Sequence, residues 1–218
     1  MKYNTHHKQR NIMEYTNNYK QHSDYMLGNL KSKRLQEFFN IEKCNIFVET
    51  GTYKGDGALW ATEQNHFEQI YSVELHLGLF EYSKRRLSNY PNVNIKNGDT
   101  VEFLNSLLPT LNKPTLLYLD AHISGSDSSH NPNHPVPLVQ ETTTIFSKFY
   151  DLNQLIVVVD DERLWGDGML NHLKTMYAEK GMVDSYVDDS VVFCNKSWLK
   201  NAQDVNHEPS LQVTLNTP

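Results

Sequence analysis

NIFVETGTYKGDGALW, residues 45–60, passes from a β-branched and aromatic strand pattern (IFVE, 46–49) through a glycine turn into a helix. A unit of this kind begins an open α/β sheet, in which ligands sit beyond the carboxyl ends of the strands. The turn carries an acid, Glu49, where a phosphate-binding loop has only glycines and backbone N–H groups. That carboxylate would repel a pyrophosphate, and GxGxxG is absent, so a nicotinamide dinucleotide is disfavoured. A ligand with positive charge and no phosphate suits it better.

From this unit outward, strand and helix patterns alternate for most of the chain. Strands are predicted at 46–49, 70–74 (IYSVE), 93–96 (VNIK), 115–120 (TLLYLD), 155–160 (LIVVVD), 182–187 (MVDSYV) and 190–194 (SVVFC). Helices fill the gaps. Residues 77–89 place Leu79, Phe80 and Leu87 on one side and Lys84, Arg85 and Arg86 towards solvent, and a helix starts at Pro137, where proline is tolerated. Before the first strand, Leu27, Leu30, Leu35, Phe38 and Phe39 recur at helical spacing and predict one amphipathic helix. Only Asp188 and Asp189 separate the last two strands, too few residues for a crossover, so these strands pair as an antiparallel hairpin. The fold class is a Rossmann-like α/β domain: a seven-stranded, mostly parallel sheet with a C-terminal hairpin and helices on both faces.

Length and composition agree with one such unit. The chain has 218 residues, 39% of them hydrophobic, enough for one core. Residues 1–24 are polar without a period and read as an N-terminal arm, and 25–218 as a single domain. The formal net charge of -6 gives no basic footprint, so a nucleic-acid partner is not expected. Neither an export signal nor a run of about 18 apolar residues occurs, and the two cysteines, Cys44 and Cys194, give no disulfide framework; a cytoplasmic protein without a membrane partner is expected.

Acids mark the carboxyl ends of all five leading strands: Glu49, Glu74, Asp99, Asp120, and Asp160 with Asp161. Glu74 is placed to accept hydrogen bonds from two ribose hydroxyls. Asp99 suits an adenine amino group, with Thr100 as the cap of the helix VEFLNSLL; the plainer reading makes Asp99 itself a cap. A sulfonium and ammonium ligand, S-adenosylmethionine (SAM), fits this acid-lined edge.

VETGTYKGDG, IYSVEL, NGDTVEFL, LLYLDAHISG, PLVQE and VVVDDERL, in that order over about residues 45–195, resemble a class I SAM-dependent methyltransferase. The DAH and DD motifs are similar to those of small metal-dependent sugar O-methyltransferases, including the macrocin type and methyltransferase domains of viral glycan-building proteins. The resemblance implies a cofactor site at Glu49, Thr50, Gly51, Thr52, Tyr53, Gly55, Glu74, Asp99, Thr100 and Asp120. It also implies a divalent metal, Mg²⁺ or Mn²⁺, on Asp120, Asp160 and Asp161, with His122 as the base and Asp120 beside it in catalysis. General base help suits the chemistry, because a sugar hydroxyl ionises far above neutral pH.

The acceptor is expected to be a small molecule or glycan, recognised by the arm and the 123–136 loop acting as a lid. His130 and His134 in that loop have metal-like spacing, but Pro132 and Pro135 exclude a helix there. Trp60, Trp165 and Trp198 are either core residues or a platform for a sugar ring, Trp165 being the best placed for the latter. A metal-assisted hydrolase and a non-catalytic nucleotide- or SAM-binding module of the same fold stay open beside methyl transfer.

Overall fold

The computed structural model describes Leu30, residues 33–121 and residues 137–201. All seven strands join one sheet: β1 (Ile46–Thr50), β2 (Gln69–Glu74), β3 (Val93–Asn97), β4 (Thr115–Leu119), β5 (Leu155–Val159), β6 (Val183–Val187) and β7 (Ser190–Cys194), in the order β3-β2-β1-β4-β5-β7-β6. The first five are parallel, and β7 runs antiparallel between β5 and β6. Chain order reverses between β1 and β4, so the ligand crevice of an open α/β sheet falls at their carboxyl ends.

Among the described residues the helices are α1 (Lys33–Phe38), α2 (Asp56–Glu63), α3 (Leu77–Arg86), α4 (Thr100–Leu107), α5 (Leu138–Lys148) and α6 (Gly166–Ala178). Strand pleating sends alternate side chains to opposite faces. Phe47, Leu116, Tyr118 and Val158 thus pack with Trp60 and Phe67 on one face, while Val48, Leu117, Val157 and Phe193 pack with Leu104, Ile145 and Tyr177 on the other. Strands β1, β4, β5 and β7 are buried at every position, whereas the edge strand β3 is half-buried to exposed throughout. Apart from Glu49, Thr50, Thr115 and Ser190, the four buried strands are made of the apolar and aromatic residues expected of strands covered on both sides.

The hairpin forms as the sequence predicts. Val187 pairs with Ser190, and Asp188 takes the left-handed conformation (φ 54°) that a two-residue loop of this kind demands. Arg34 on α1 reaches the loop at Asp188, 3.2 Å away.

Three expectations are corrected. The helix predicted before β1 is described only over Lys33–Phe38; Phe39 leaves it to bridge with Leu199, and residues 25–29 lie outside the described residues. Arg86 does not face solvent: its side chain is 17% exposed and pairs with Asp56, because helix α3 turns its last residues towards the β1–α2 turn. Asp99, not Thr100, caps α4, its carboxylate accepting from Val101 N and Glu102 N while Thr100 is the first helical residue. Trp60 and Trp198 are core residues, 5% and 6% exposed. No helix among the described residues is long and apolar enough to cross a membrane. The N-terminal arm and the 122–136 segment, with His122, His130 and His134, lie outside the described residues.

Candidate functional site

The glycine turn after β1 is built on positive-φ residues: Gly51 (87°), Tyr53 (48°) and Gly55 (85°). At Gly51 a second constraint applies, since a Cβ there would stand 2.5 Å from the carbonyl oxygen of Asp120, so a side chain is excluded by the close approach of the β4 end. Thr50, fully buried, seals that junction: its carbonyl and hydroxyl oxygens both accept from Asp120 N, at 3.1 and 3.3 Å.

Glu49 lies beneath the turn. It is 2% exposed, its Oε2 accepts a 2.6 Å hydrogen bond from Ser72, and the Ser72 hydroxyl is in turn 2.6 Å from that of Thr52. A Cβ on Gly57 would come within 1.8 Å of Glu49 Oε1, so α2 presses directly on the carboxyl group. Burial pushes this carboxyl up from its ordinary 4.5 to about 8, against the opposing pull of the Ser72 hydrogen bond. Glu49 and Thr52 therefore meet the turn from the inside.

Glu74, at the end of β2, ties the turn to the next helix. Its Oε2 accepts from Tyr53 N and its Oε1 from His76 N, each at 2.7 Å, and burial still raises its pKa. Each carboxylate oxygen has a further lone pair, so a diol can be bound on top of these two backbone bonds. His76 caps α3 by accepting from Leu79 N. Asp99 is 8% exposed beside β3, with one oxygen engaged in its double cap.

At β4 and β5 the carboxylates are engaged by the protein itself. Asp160, 2% exposed, accepts from Tyr118 Oη on one oxygen and from Ser190 Oγ, at 2.8 Å, on the other. Asp161 takes a left-handed conformation (φ 53°) and pairs with Arg163 at 2.6 Å. Arg163 also pairs with Asp189. Burial, then the nearness of Asp160, Glu49, Asp161 and Glu141, pushes the Asp120 carboxyl well up. Asp160 is thus engaged by two hydroxyls and Asp161 by a guanidinium. Among the described residues no group of three or more His, Cys, Asp or Glu side chains is placed to hold the expected cation.

Just past this pair, Trp165 is pinned by its indole N–H, which donates to Asp160 O at 2.8 Å, and Leu164 beside it is 51% exposed. An ordered aromatic and an exposed apolar neighbour therefore stand at the β5 exit, at the carboxyl edge of the sheet.

Several supporting residues were not foreseen from sequence: Ser72, Tyr118, Ser190, Gly57 and Arg86. The first three had a signal, since each is a hydroxyl inside an otherwise apolar strand, where a buried polar group requires a partner. Gly57 and Arg86 had none, because their roles depend on neighbours distant in sequence.

No protein-family model and no curated protein matches this chain. Solved structures do match its fold. The SAH-bound Podospora anserina methyltransferase PaMTH1 superposes with a TM-score of 0.51 and 16% identity over 78% of this chain and 75% of that one. A TehB-like SAM-dependent methyltransferase from Corynebacterium glutamicum gives 0.52 and 13% over 88% and 100%. A candidate caffeoyl-CoA O-methyltransferase from Staphylococcus aureus gives 0.51 and 14% over 76% and 80%. At these identities the likeness is one of fold: the chain has the Rossmann-like architecture of these methyltransferases.

Proposed function

We propose that this protein binds SAM at the β1–β4 switch point and transfers its methyl group to a hydroxyl of a small acceptor, a sugar or glycan. The observation that carries the reading is Glu74, a buried carboxylate fixed by Tyr53 N and His76 N beside a left-handed glycine turn that lacks any phosphate-binding pattern. That donor set suits a ribose diol attached to a cationic, phosphate-free group. SAM supplies an electrophilic methyl group; the acceptor oxygen takes it as the carbon–sulfur bond breaks, and the bond pair stays on sulfur.

The chain has two tasks besides binding. It must orient the acceptor oxygen in line with the methyl group, for which Trp165 and Leu164 at the β5 exit supply an apolar platform fit for the face of a sugar ring. It must also take the hydroxyl proton, a role given to His122, two residues beyond Asp120, from sequence resemblance alone. No step is routed through a divalent cation, since no group placed to hold one is found among the described residues.

Calorimetry with SAM and with its demethylated product, S-adenosylhomocysteine (SAH), tests the cofactor. Wild type should bind both, and Glu74→Ala should bind about ten- to a hundredfold more weakly through loss of charge-assisted hydrogen bonds. Absence of binding by wild type would end the reading. The acceptor is tested by a methyl-transfer screen over free and nucleotide-linked sugars, in which His122→Ala should lower turnover more than affinity.

A further inference from the structure

The turn between β1 and α2 holds left-handed residues at 51, 53 and 55, and the middle one is a tyrosine, which does not adopt that conformation unaided. Such a backbone persists where its surroundings over-determine it. Its first half is fastened to β2, with Gly51 N and Thr52 N donating to Val73 O at 3.1 and 3.0 Å and Tyr53 N to Glu74. The second half is fastened by a side chain from another element: Arg86 Nη1, on the last turn of α3, donates to Lys54 O at 2.8 Å and lies 2.8 Å from Asp56 Oδ1. Gly55 completes the contact, since a Cβ there would meet Leu87 Cδ1 at 3.0 Å and Ser83 Cβ at 3.3 Å.

We infer that Arg86 is a positioning residue for the cofactor turn, acting through Lys54 and Asp56 to hold residues 51–55 in the shape that receives the ligand. The inference rests on the reading that this turn binds SAM. Helix α3 then serves the site at both ends: its N-terminal end follows Glu74, and its C-terminal end clamps the turn on which Tyr53 N meets that same carboxylate. A guanidinium is needed because one nitrogen satisfies a carbonyl and a carboxylate together while the rest of the fork holds its plane. Loss of the clamp costs ligand affinity, because the turn must then be ordered at the expense of binding.

The test uses the full chain, SAH calorimetry well below each variant's melting temperature, and hydrogen exchange without ligand. Arg86→Met keeps the packing volume and should weaken SAH binding by about tenfold or more while exchange speeds up at residues 53–57. Arg86→Lys should recover part of the affinity, which a role confined to stability would not produce in a fully folded sample. Arg86→Met binding SAH within about twofold of wild type would overturn the clamp while leaving the SAM reading intact. If wild type itself fails to bind SAH, the function falls first and the clamp with it. Should Arg86→Met not fold, Arg86→Lys and Asp56→Asn decide: both should bind more weakly, and wild-type affinity in both overturns the inference.

Discussion

A carboxyl group buried beneath a turn with α2 pressed against one oxygen has little to gain from ionising, even with a serine hydroxyl donating to the other. Glu49 is that group, and its pKa, raised from 4.5 to about 8 chiefly by burial, makes stability depend on pH through it. Below pH 4.5 it is protonated in the folded and unfolded chain alike, and its contribution is fully present. Between 4.5 and about 8 the unfolded chain ionises while the fold keeps its proton, so this contribution falls as pH rises and is lost above about 8. Glu49→Gln removes the ionisation but keeps an acceptor for Ser72. Its melting temperature relative to wild type should therefore climb between about pH 4 and about pH 9, and parallel curves would show that Glu49 ionises normally. A second prediction concerns the residue pressing on it. Gly57→Ala should destabilise by about 1–3 kcal/mol in urea denaturation, through overlap with Glu49 Oε1. In a Glu49→Ala background the same change should be nearly neutral or favourable, since alanine is the better helix former by about 1 kcal/mol. Equal costs in the two backgrounds would refute the contact.

Helix α4 sits on the carboxylate cap of Asp99, which accepts from both Val101 N and Glu102 N. Asp99→Ala should therefore lower stability by about 1 kcal/mol, as loss of an N-cap does, whereas Asp99→Asn should keep most of it. Chemical denaturation of the two variants separates the cap from any ligand role. SAH affinity lost in Asp99→Asn without loss of stability would assign the adenine contact, and unchanged affinity would leave Asp99 as a cap alone. At the other end of the site, the turn after β5 is held by Asp189: its carbonyl accepts from Glu162 N at 2.7 Å, and its carboxylate accepts from Arg163 N and pairs with the Arg163 side chain. The β6–β7 hairpin thus fixes the turn that carries Trp165. In Asp189→Ala, Trp165 fluorescence should become more open to acrylamide quenching; an unaltered quenching constant would mean that the Trp165–Asp160 bond holds the turn unaided.

Over the whole molecule, the central strands are covered by helices on both faces and paired on both edges. Local opening costs most where apolar contacts and shielded backbone bonds are densest. Amide exchange should accordingly be slowest in β1, β4, β5 and β7, all fully buried, and fastest among the strands in β3, the exposed edge. Addition of SAH should slow exchange further at residues 51–55 and at the start of α3, on either side of Glu74. Protection confined to the other end of the sheet would place the ligand elsewhere.

The alternation of apolar strands and amphipathic helices and the Asp188–Asp189 loop were enough to specify the mostly parallel sheet and its hairpin, because these depend on periodicity and on chain length between neighbours. What Arg86, Gly57 and Asp160 do was settled by tertiary structure alone. A helix-face pattern places Arg86 towards solvent, and only the packing of α3 against the turn brings it to Lys54 and Asp56. Glycine at position 57 reads in sequence as a weak helix residue, and only the carboxyl group beneath it gives the reason. The DD motif reads, by resemblance, as a pair of metal ligands; the fold gives one to the hydroxyls of Tyr118 and Ser190 and the other to Arg163. Local pattern fixes where the backbone runs; the partners of a buried charge come from strands and helices dozens of residues away, and the desolvation that forces such pairing exists only once they meet.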